Sequence, residues 1–396
     1  MCKVIMIGCD LHDKAMLLKV AVGRDEPETR LVKNSPAGRK AMIADLLRRA
    51  KALGGARVVF VYEASGQGFG LHDELTDAGI ECHMLAPTKI ARSPRQRKQK
   101  TDEKDALDLL QLLRAHVLAG NPLPTVWIPD LQTRDDRELV RMRLDVGTKI
   151  AALKAQVQSL LKRNQLRRSA ATGKGWSRLF WVWLRSLQRT PAAVSENPLR
   201  AGARAALASL LRQLQFLQAE EARLDQLIID LAWSPRYARG VREIGRLVGV
   251  GVLTAMVFLS EIGDLHRFAN RRQIAAYLGL VPSSQESGEA RDRKGHITRQ
   301  GSSRVRKVLC QATWSRVRCD AQEKAAYERI KAKNPKHKKI AVVASMRRLA
   351  VRMWHCGLAA AAAPPATAEK MAGEGVPKTK AKRRRRCGCA AGFSEA

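Results

Sequence analysis

Aromatic residues are scarce in this chain: Phe, Trp and Tyr together make up 5% of 396 residues. Acids are scarce too, with 37 Asp and Glu against 72 Lys and Arg, so the formal net charge is +35. That excess runs along the whole length rather than sitting in one tail, and it points to a polyanion partner. Charge alone does not separate an enzyme from a ribosomal or chromatin-like packing protein. The eight cysteines (Cys2, Cys9, Cys82, Cys310, Cys319, Cys356, Cys387 and Cys389) form no regular framework. Only Cys387-Gly388-Cys389 is closely spaced, and without a second pair nearby neither zinc nor a disulfide scaffold is expected. Long hydrophobic runs are missing: the longest, near Leu247 to Leu259, carries Gly and Thr and is too short to span a bilayer. No membrane partner is expected. Met1-Cys2-Lys3 leads straight into a strand pattern, without the n-region or cleavage site of a signal peptide. These absences predict a bacterial-type cytoplasmic protein with reduced thiols, whose 45% hydrophobic content supports two or three domains with real cores.

The few acids are placed in a pattern. Thr101-Asp102-Glu103-Lys104-Asp105 puts two carboxylates three residues apart, on one helical face, at the start of the apolar-periodic run Ala106 to Val117. Asp10 ends the strand-forming run Val4 to Cys9, and Glu63 ends Val58 to Tyr62. Any one of these acids alone reads as a cap or turn residue, and Asp102 would make a good N-cap. Together they converge at one edge of a sheet. Four carboxylates so close raise one another's pKa unless divalent cations neutralise them. Mg²⁺ is the expected occupant, two ions per site with Mn²⁺ as a substitute, clamping the attacking and leaving oxygens of a phosphoryl transfer.

Hydrophobic patterning predicts strands at about Lys3 to Cys9, Ala15 to Val22 and Thr29 to Lys33, then a helix from Pro36 to Leu53 started by Ser35. A strand from Arg57 to Tyr62, a helix ending at Ala78, a strand from Ile80 to Leu85 and the helix from Asp102 follow. This order is that of an α/β ribonuclease-H-like (RuvC-like) fold, in which the first and fourth strands are neighbours. Lys89, Arg92, Arg95, Arg97, Lys98 and Lys100 lie between the last strand and that helix, in a loop suited either to holding a phosphate backbone or to simple solvation.

Pro122, Pro124 and Pro129 mark a connection, after which Leu131 to Leu166 and Ala201 to Trp233 read as two long, charge-laced helices able to pair as a coiled-coil spacer. Between them Trp176, Phe180, Trp181 and Trp183 stand among arginines, either as a small core or as a base-stacking platform. A third, mainly helical region begins near Tyr237. It opens with a helix-hairpin-helix-like element: Val241 to Gly245, the turn Val248-Gly249-Val250-Gly251, then an apolar helix to Ile262. Amides at Gly249 and Gly251 can approach a phosphate closely there. A polar loop is expected from Ser283 to Gly301, holding Ser287-Gly288 and the cations Arg291, Arg293 and Lys294; Ser302-Ser303-Arg304 then opens a basic helix. The expected layout is 1–125 catalytic, 126–236 helical spacer, 237–358 C-terminal domain and 359–396 disordered basic tail.

At this point the sequence resembles a known family: the DEDD transposases of the insertion sequence 110 family, RNA-guided bridge recombinases with pilin-gene invertases as relatives. Asp10, Glu63, Asp102 and Asp105 fall on its four acids. Its second transposase domain is matched by Val248-Gly249-Val250-Gly251, Glu261-Ile262-Gly263-Asp264, Phe268, Tyr277 to Pro282, Ser287-Gly288, Gly295 to Thr298 and Gly301 with Arg306. Val248 departs from the proline usual before the Gly-x-Gly. The resemblance implies a nucleoid-associated DNA transposase acting on the double-stranded ends and target of its element. It also implies a bound noncoding bridge RNA, dimers assembling to a tetramer, and a serine nucleophile at Ser287. Ser287 lies about 180 residues beyond Asp105, so the working site is expected to combine the acids of one subunit with the serine of another. Without the resemblance, Ser287 reads as an ordinary loop serine, and Ser283, Ser284, Ser302 and Ser303 compete with it. The alternatives are a junction resolvase, which has no need of the second domain, and a non-catalytic nucleic-acid scaffold. A DEDD exonuclease would place a second acid where Leu11-His12 stands.

Overall fold

The computed structural model describes residues 3–90, 101–168, 170–189, 199–284, 294–333 and 335–362. They fall into two compact units, Met1–Ile128 and Pro129–Ala396. The first is α/β. Its strands are β1 (Val4–Leu11), β2 (Ala15–Val22), β3 (Glu28–Lys33), β4 (Arg57–Glu63) and β5 (Glu81–Leu85), and its helices are α1 (Pro36–Ala52), α2 (Gly70–Asp77) and α3 (Asp102–Ala119). The sheet order is β3-β2-β1-β4-β5. Strands β1, β4 and β5 are parallel, while β2 runs antiparallel to β1 and β3. The first and fourth strands are therefore neighbours, as expected, and the elements begin and end within about two residues of their expected bounds.

Strict alternation along the central strands sorts side chains to two faces. Ile5, Ile7 and Cys9 of β1 join Val58, Phe60 and Tyr62 of β4 in the core beneath α1 and α2. Met6, Val59 and Val61 face the other way, against Leu109, Leu110 and Leu113 of α3. Gly8 lies on this second face. A Cβ on Gly8 would stand 2.3 Å from the Ala106 carbonyl oxygen and 2.5 Å from the Leu110 nitrogen. Only glycine lets the backbone of α3 lie that close to the central strand.

The second unit is helical. Helices α4 (Leu131–Arg163) and α6 (Ala201–Ala232) pack along each other, with α5 (Arg178–Arg189) beside them. Val146, Ile150, Leu153, Val157 and Leu160 of α4 recur at alternating spacings of four and three and are buried, so one stripe of the helix meets α6. Arg143, largely buried, reaches across to Asp225 at 2.6 Å and Glu221 at 3.0 Å. Trp176, Phe180, Trp181 and Trp183 form a satellite core with Leu184, Leu187 and Leu211. Their rings meet at centroid distances of 5.2 to 5.7 Å, which is the core alternative rather than an open stacking platform.

The remaining elements are α7 (Ala238–Gly245), α8 (Val252–Ile262), α9 (Arg271–Tyr277), β6 (Pro282–Ser284), β7 (Lys294–Ile297), α10 (Ser303–Cys319), α11 (Ala321–Lys333) and α12 (Lys338–Ala362). Of these, α7, α8, α9, α10 and α12 share one core with the ends of α4 and α6 through Val140, Leu144, Ile228 and Ala232, while Tyr327 of α11 packs with Val317 and Ala341. Two expectations change. The stretch expected as a polar loop contains an antiparallel strand pair, β6 with β7, across which Ser283 Oγ donates to the His296 carbonyl. The last helix runs to Ala362, past position 359, because alanine is the strongest helix former and the run Ala359 to Ala363 ends only at Pro364.

Candidate active site

Parallel pairing of β1 with β4 is the first event that builds the site. The last paired residues are Cys9 and Tyr62, so Asp10 and Glu63 are the next residues on adjacent strands, about 5 Å apart across the ladder. By alternation both lie on the α3 face, Asp10 following Met6 and Gly8, Glu63 following Val59 and Val61. Helix α3 supplies the other two acids. Its sheet-facing stripe is Asp105, Ala106, Leu109, Leu110 and Leu113, all buried, and Asp102 lies one turn before Asp105. The expected cap role for Asp102 is not seen, because Thr101 takes it: the Thr101 hydroxyl accepts from the Lys104 amide. Asp102 is thereby left in the first turn with its carboxylate turned to the sheet edge.

Asp10, Asp102 and Asp105 thus lie close enough to sense one another's charge, and the β1–β4 register places Glu63 on the strand beside Asp10. Burial raises the Asp10 carboxyl above its ordinary range, and the charges of Asp102 and Asp105 push the same way while His12 opposes them. His12 is the residue that sequence reasoning missed. Its Nε2 donates to Asp10 Oδ2 at 3.0 Å and lies 3.4 Å from Asp102 Oδ1. Ligand atoms of Asp10, His12 and Asp102 all lie within 4.8 Å of one another. The available signal was its place two residues after Asp10, where the chain turns from β1 into β2. That turn is braced from behind: Asn34 Nδ2 donates to the His12 carbonyl at 2.8 Å and to Gln67 Oε1 at 2.9 Å, and Gln67 Nε2 donates to Asp13 at 3.2 Å. Arg39 in turn holds Asn34 Oδ1 at 2.8 Å and grips Glu74 through two bonds of 2.7 and 2.8 Å. An open cleft lined by Leu11, His12, Lys14, Ser65 and Gln67 adjoins this turn. A hard, oxygen-rich donor set of this kind fits a divalent cation such as Mg²⁺ better than a soft metal.

Residues 7–164 match the DEDD transposase family of IS110 elements, and residues 241–328 match the family described as "Transposase IS116/IS110/IS902 family", together more than half of the chain. The chain belongs to the IS110 family of transposases. "Putative transposase y4qE" of Sinorhizobium fredii is 29% identical over 312 residues, 78% of this chain and 71% of that protein. "Probable family 20 transposase" of Pseudomonas aeruginosa is 29% identical over 272 residues, 67% of this chain and 73% of its own length. "Transposase for insertion sequence element IS1533" of Leptospira borgpetersenii is 23% identical over 311 residues, 78% of this chain and 84% of that protein.

In this IS110-family transposase the other expected site residues are distributed as follows. Lys89 is exposed in a short turn beyond β5, at the same sheet edge as the acids. Arg92, Arg95, Arg97, Lys98 and Lys100 lie outside the described residues, as do Ser287, Gly288, Arg291 and Arg293. Lys294 is in β7. Arg304 pairs with Asp145 at 3.6 Å. The two turn glycines divide the work expected of both: Gly249 (φ +85°) faces α10, where a Cβ would meet the Ala312 carbonyl at 2.7 Å, whereas Gly251 is exposed with open space where a side chain would be. Gly249 is thus used for packing, and Gly251 keeps the open backbone at the start of α8.

Several residues of the second matched segment have structural work. Glu261 takes two bonds from Arg141, at 2.7 and 3.2 Å; burial raises its carboxyl, but Arg141 more than offsets this and holds it below the usual range. Arg137 donates to the Ser260 and Glu261 carbonyls. Arg306 donates to the carbonyls of Leu278, Gln300 and Gly301. Gly279 (φ +64°) packs on Gln300, and Gly301 (φ +70°) on the Tyr277 carbonyl, where a Cβ would stand 2.0 Å away. These contacts clamp the two ends of the segment that contains Ser287. Of the competing serines, Ser283 is bonded within the strand pair and Ser302 caps α10 by accepting from the Val305 amide.

Proposed function

We propose that this transposase cuts and rejoins DNA by metal-dependent phosphoryl transfer, with Asp10, Glu63, Asp102 and Asp105 as the metal-binding acids on a ribonuclease-H-like (RuvC-like) domain. The observation that supports the reading is the closeness of Asp10 to Asp102 and Asp105, where burial and those two charges push Asp10 up, with Glu63 next to Asp10 in the β1–β4 register. Such a cluster disfavours its own full ionisation and gains most from a cation. When bound, Mg²⁺ supplies charge neutralisation and Lewis-acid stabilisation of the phosphoryl oxygens. The chain's own residues orient that chemistry. β1 and β4 present Asp10 and Glu63, α3 presents Asp102 and Asp105, and His12, bonded to Asp10, holds that carboxylate in one orientation.

The nucleophile in this reading is Ser287. Its Oγ forms a bond to the scissile phosphorus as the bond to the leaving strand breaks; the serine proton passes to solvent and the leaving oxygen is protonated to a hydroxyl. The clamp at Gly279, Gly301 and Arg306 supports it by fixing both ends of the segment that carries Ser287. The protein acts as a homo-oligomer in the bacterial cytoplasm, guided by a structured bridge RNA. The test is strand cleavage and rejoining by the full chain with its RNA in Mg²⁺. Asp10→Ala and EDTA each abolish cleavage while DNA binding persists, and Ser287→Ala abolishes the covalent protein–DNA adduct. Normal cleavage by Asp10→Ala, or an adduct in Ser287→Ala, refutes the corresponding part.

A further inference from the structure

Within the second unit, one concavity is lined almost wholly by arginine. Arg271 and Arg272 open α9, and Arg347, Arg348 and Arg352 project from α12, with Val351 as the one apolar member. Arg348 and Arg352, four positions apart, are neighbours on one face of α12, and Arg347 reaches the same cavity from the adjoining position. Five guanidinium groups around one cavity repel one another unless anions stand among them. The molecule provides one such anion. Glu323, itself buried, takes Arg352 at 2.6 Å and Arg348 at 3.5 Å, and shares its charge with the buried Arg316 at 3.3 Å. Arg271, Arg272 and Arg347 have no carboxylate within ion-pair distance among the described residues. Glu323 therefore orients two of the five and leaves the cavity strongly positive.

Arginine forks match phosphate oxygens in pairs, and their charge persists at any physiological pH. We propose that this arginine pocket is a docking site for the phosphodiester backbone of double-stranded DNA, formed by α9 and α12 and separate from the acid cluster. The proposal rests on the reading that the protein handles DNA. It does not depend on the acids being catalytic. Contacts of this kind fix the position of a duplex and carry no sequence information.

The test is equilibrium binding of the full chain to a short fluorescent DNA duplex across a salt series. Arg271→Gln with Arg347→Gln removes two guanidiniums that no carboxylate holds. The expected result is a slope of log affinity against log salt that is shallower by about one per arginine, and a loss of more than about tenfold at 0.1 M salt. Arg223→Gln with Arg246→Gln is the matched control, removing the same net charge from exposed arginines paired to Glu220 and Glu243; it should leave the slope unchanged. Arg272→Gln alone gives a second reading should the double variant fold poorly by circular dichroism. DNA affinity and slope unchanged in Arg271→Gln/Arg347→Gln overturn the proposal, including when binding of an RNA duplex weakens, and so does an equal loss in the control. Cleavage of the same duplex by the unsubstituted chain in Mg²⁺ reports on the catalytic reading separately.

Discussion

Asp10 shows how a single carboxylate is tuned. Its folded-state pKa is raised by burial and by Asp102 and Asp105, so the folded chain holds this proton more tightly than the unfolded one. Between the two titrations the folded state binds more protons, and stability falls as pH rises from about 4, the unfolded value, through the folded value; it is level above that. Asp10→Asn removes the burden. In the absence of divalent ions this variant should melt above the unsubstituted protein at pH 7, and the two should converge near pH 3. Mg²⁺ should raise the melting temperature of the unsubstituted protein and affect Asp10→Asn much less. A variant that melts lower at pH 7 contradicts the strain assigned to this cluster. His12 belongs to the same scale: in the sequence it marks only the absence of a second acid, yet its ring touches two members of the site.

The decisive element is α3 on β1. Its apolar stripe holds it to the sheet through Leu109, Leu110 and Leu113, and the missing side chain of Gly8 sets how closely it lies. Gly8→Ala puts a methyl group 2.3 Å from a backbone oxygen that cannot swing aside. The helix must lift, at a cost of about 1–3 kcal/mol for an overpacked core. The same movement carries Asp102 and Asp105 away from Asp10. Thermal unfolding should show the loss, and the stabilisation by Mg²⁺ should shrink with it; an unchanged melting temperature would sink the close-contact argument.

For the whole molecule, charge sets the behaviour. An excess of +35 spread over 396 residues makes nucleic-acid affinity a phosphate-dominated, counterion-releasing process. Affinity for DNA should fall by orders of magnitude between 50 and 200 mM salt, about 10³-fold for six phosphate contacts. Recombination should additionally need one structured RNA. RNase-treated protein that recombines at full rate would remove the guide from the account while leaving the salt dependence untouched. No helix among the described residues is long and apolar enough to cross a membrane.

What the sequence by itself determined is whatever depends on neighbours along the chain. The runs of strand-forming residues Val4 to Cys9 and Val58 to Tyr62 specify strands that end in acids, and Asp102 with Asp105 share a helical face because three residues nearly complete a turn. The long helices, the cap at Ser302 and the turn at Gly249 are legible for the same reason. Only the tertiary structure decided which distant residues meet. His12 reaches Asp102, ninety positions away, because β1 lies against α3; Ser283 meets the His296 carbonyl only because β6 pairs with β7. Gly249 and Gly251 are chemically identical in the sequence, and packing alone gives one to α10 and the other to open space. The arginine pocket was hidden likewise: Arg271 and Arg347 lie more than seventy residues apart and become one cavity only where α9 crosses α12. Local pattern is written in short-range sterics and periodicity, whereas a site is a coincidence of long-range contacts that no window of sequence contains.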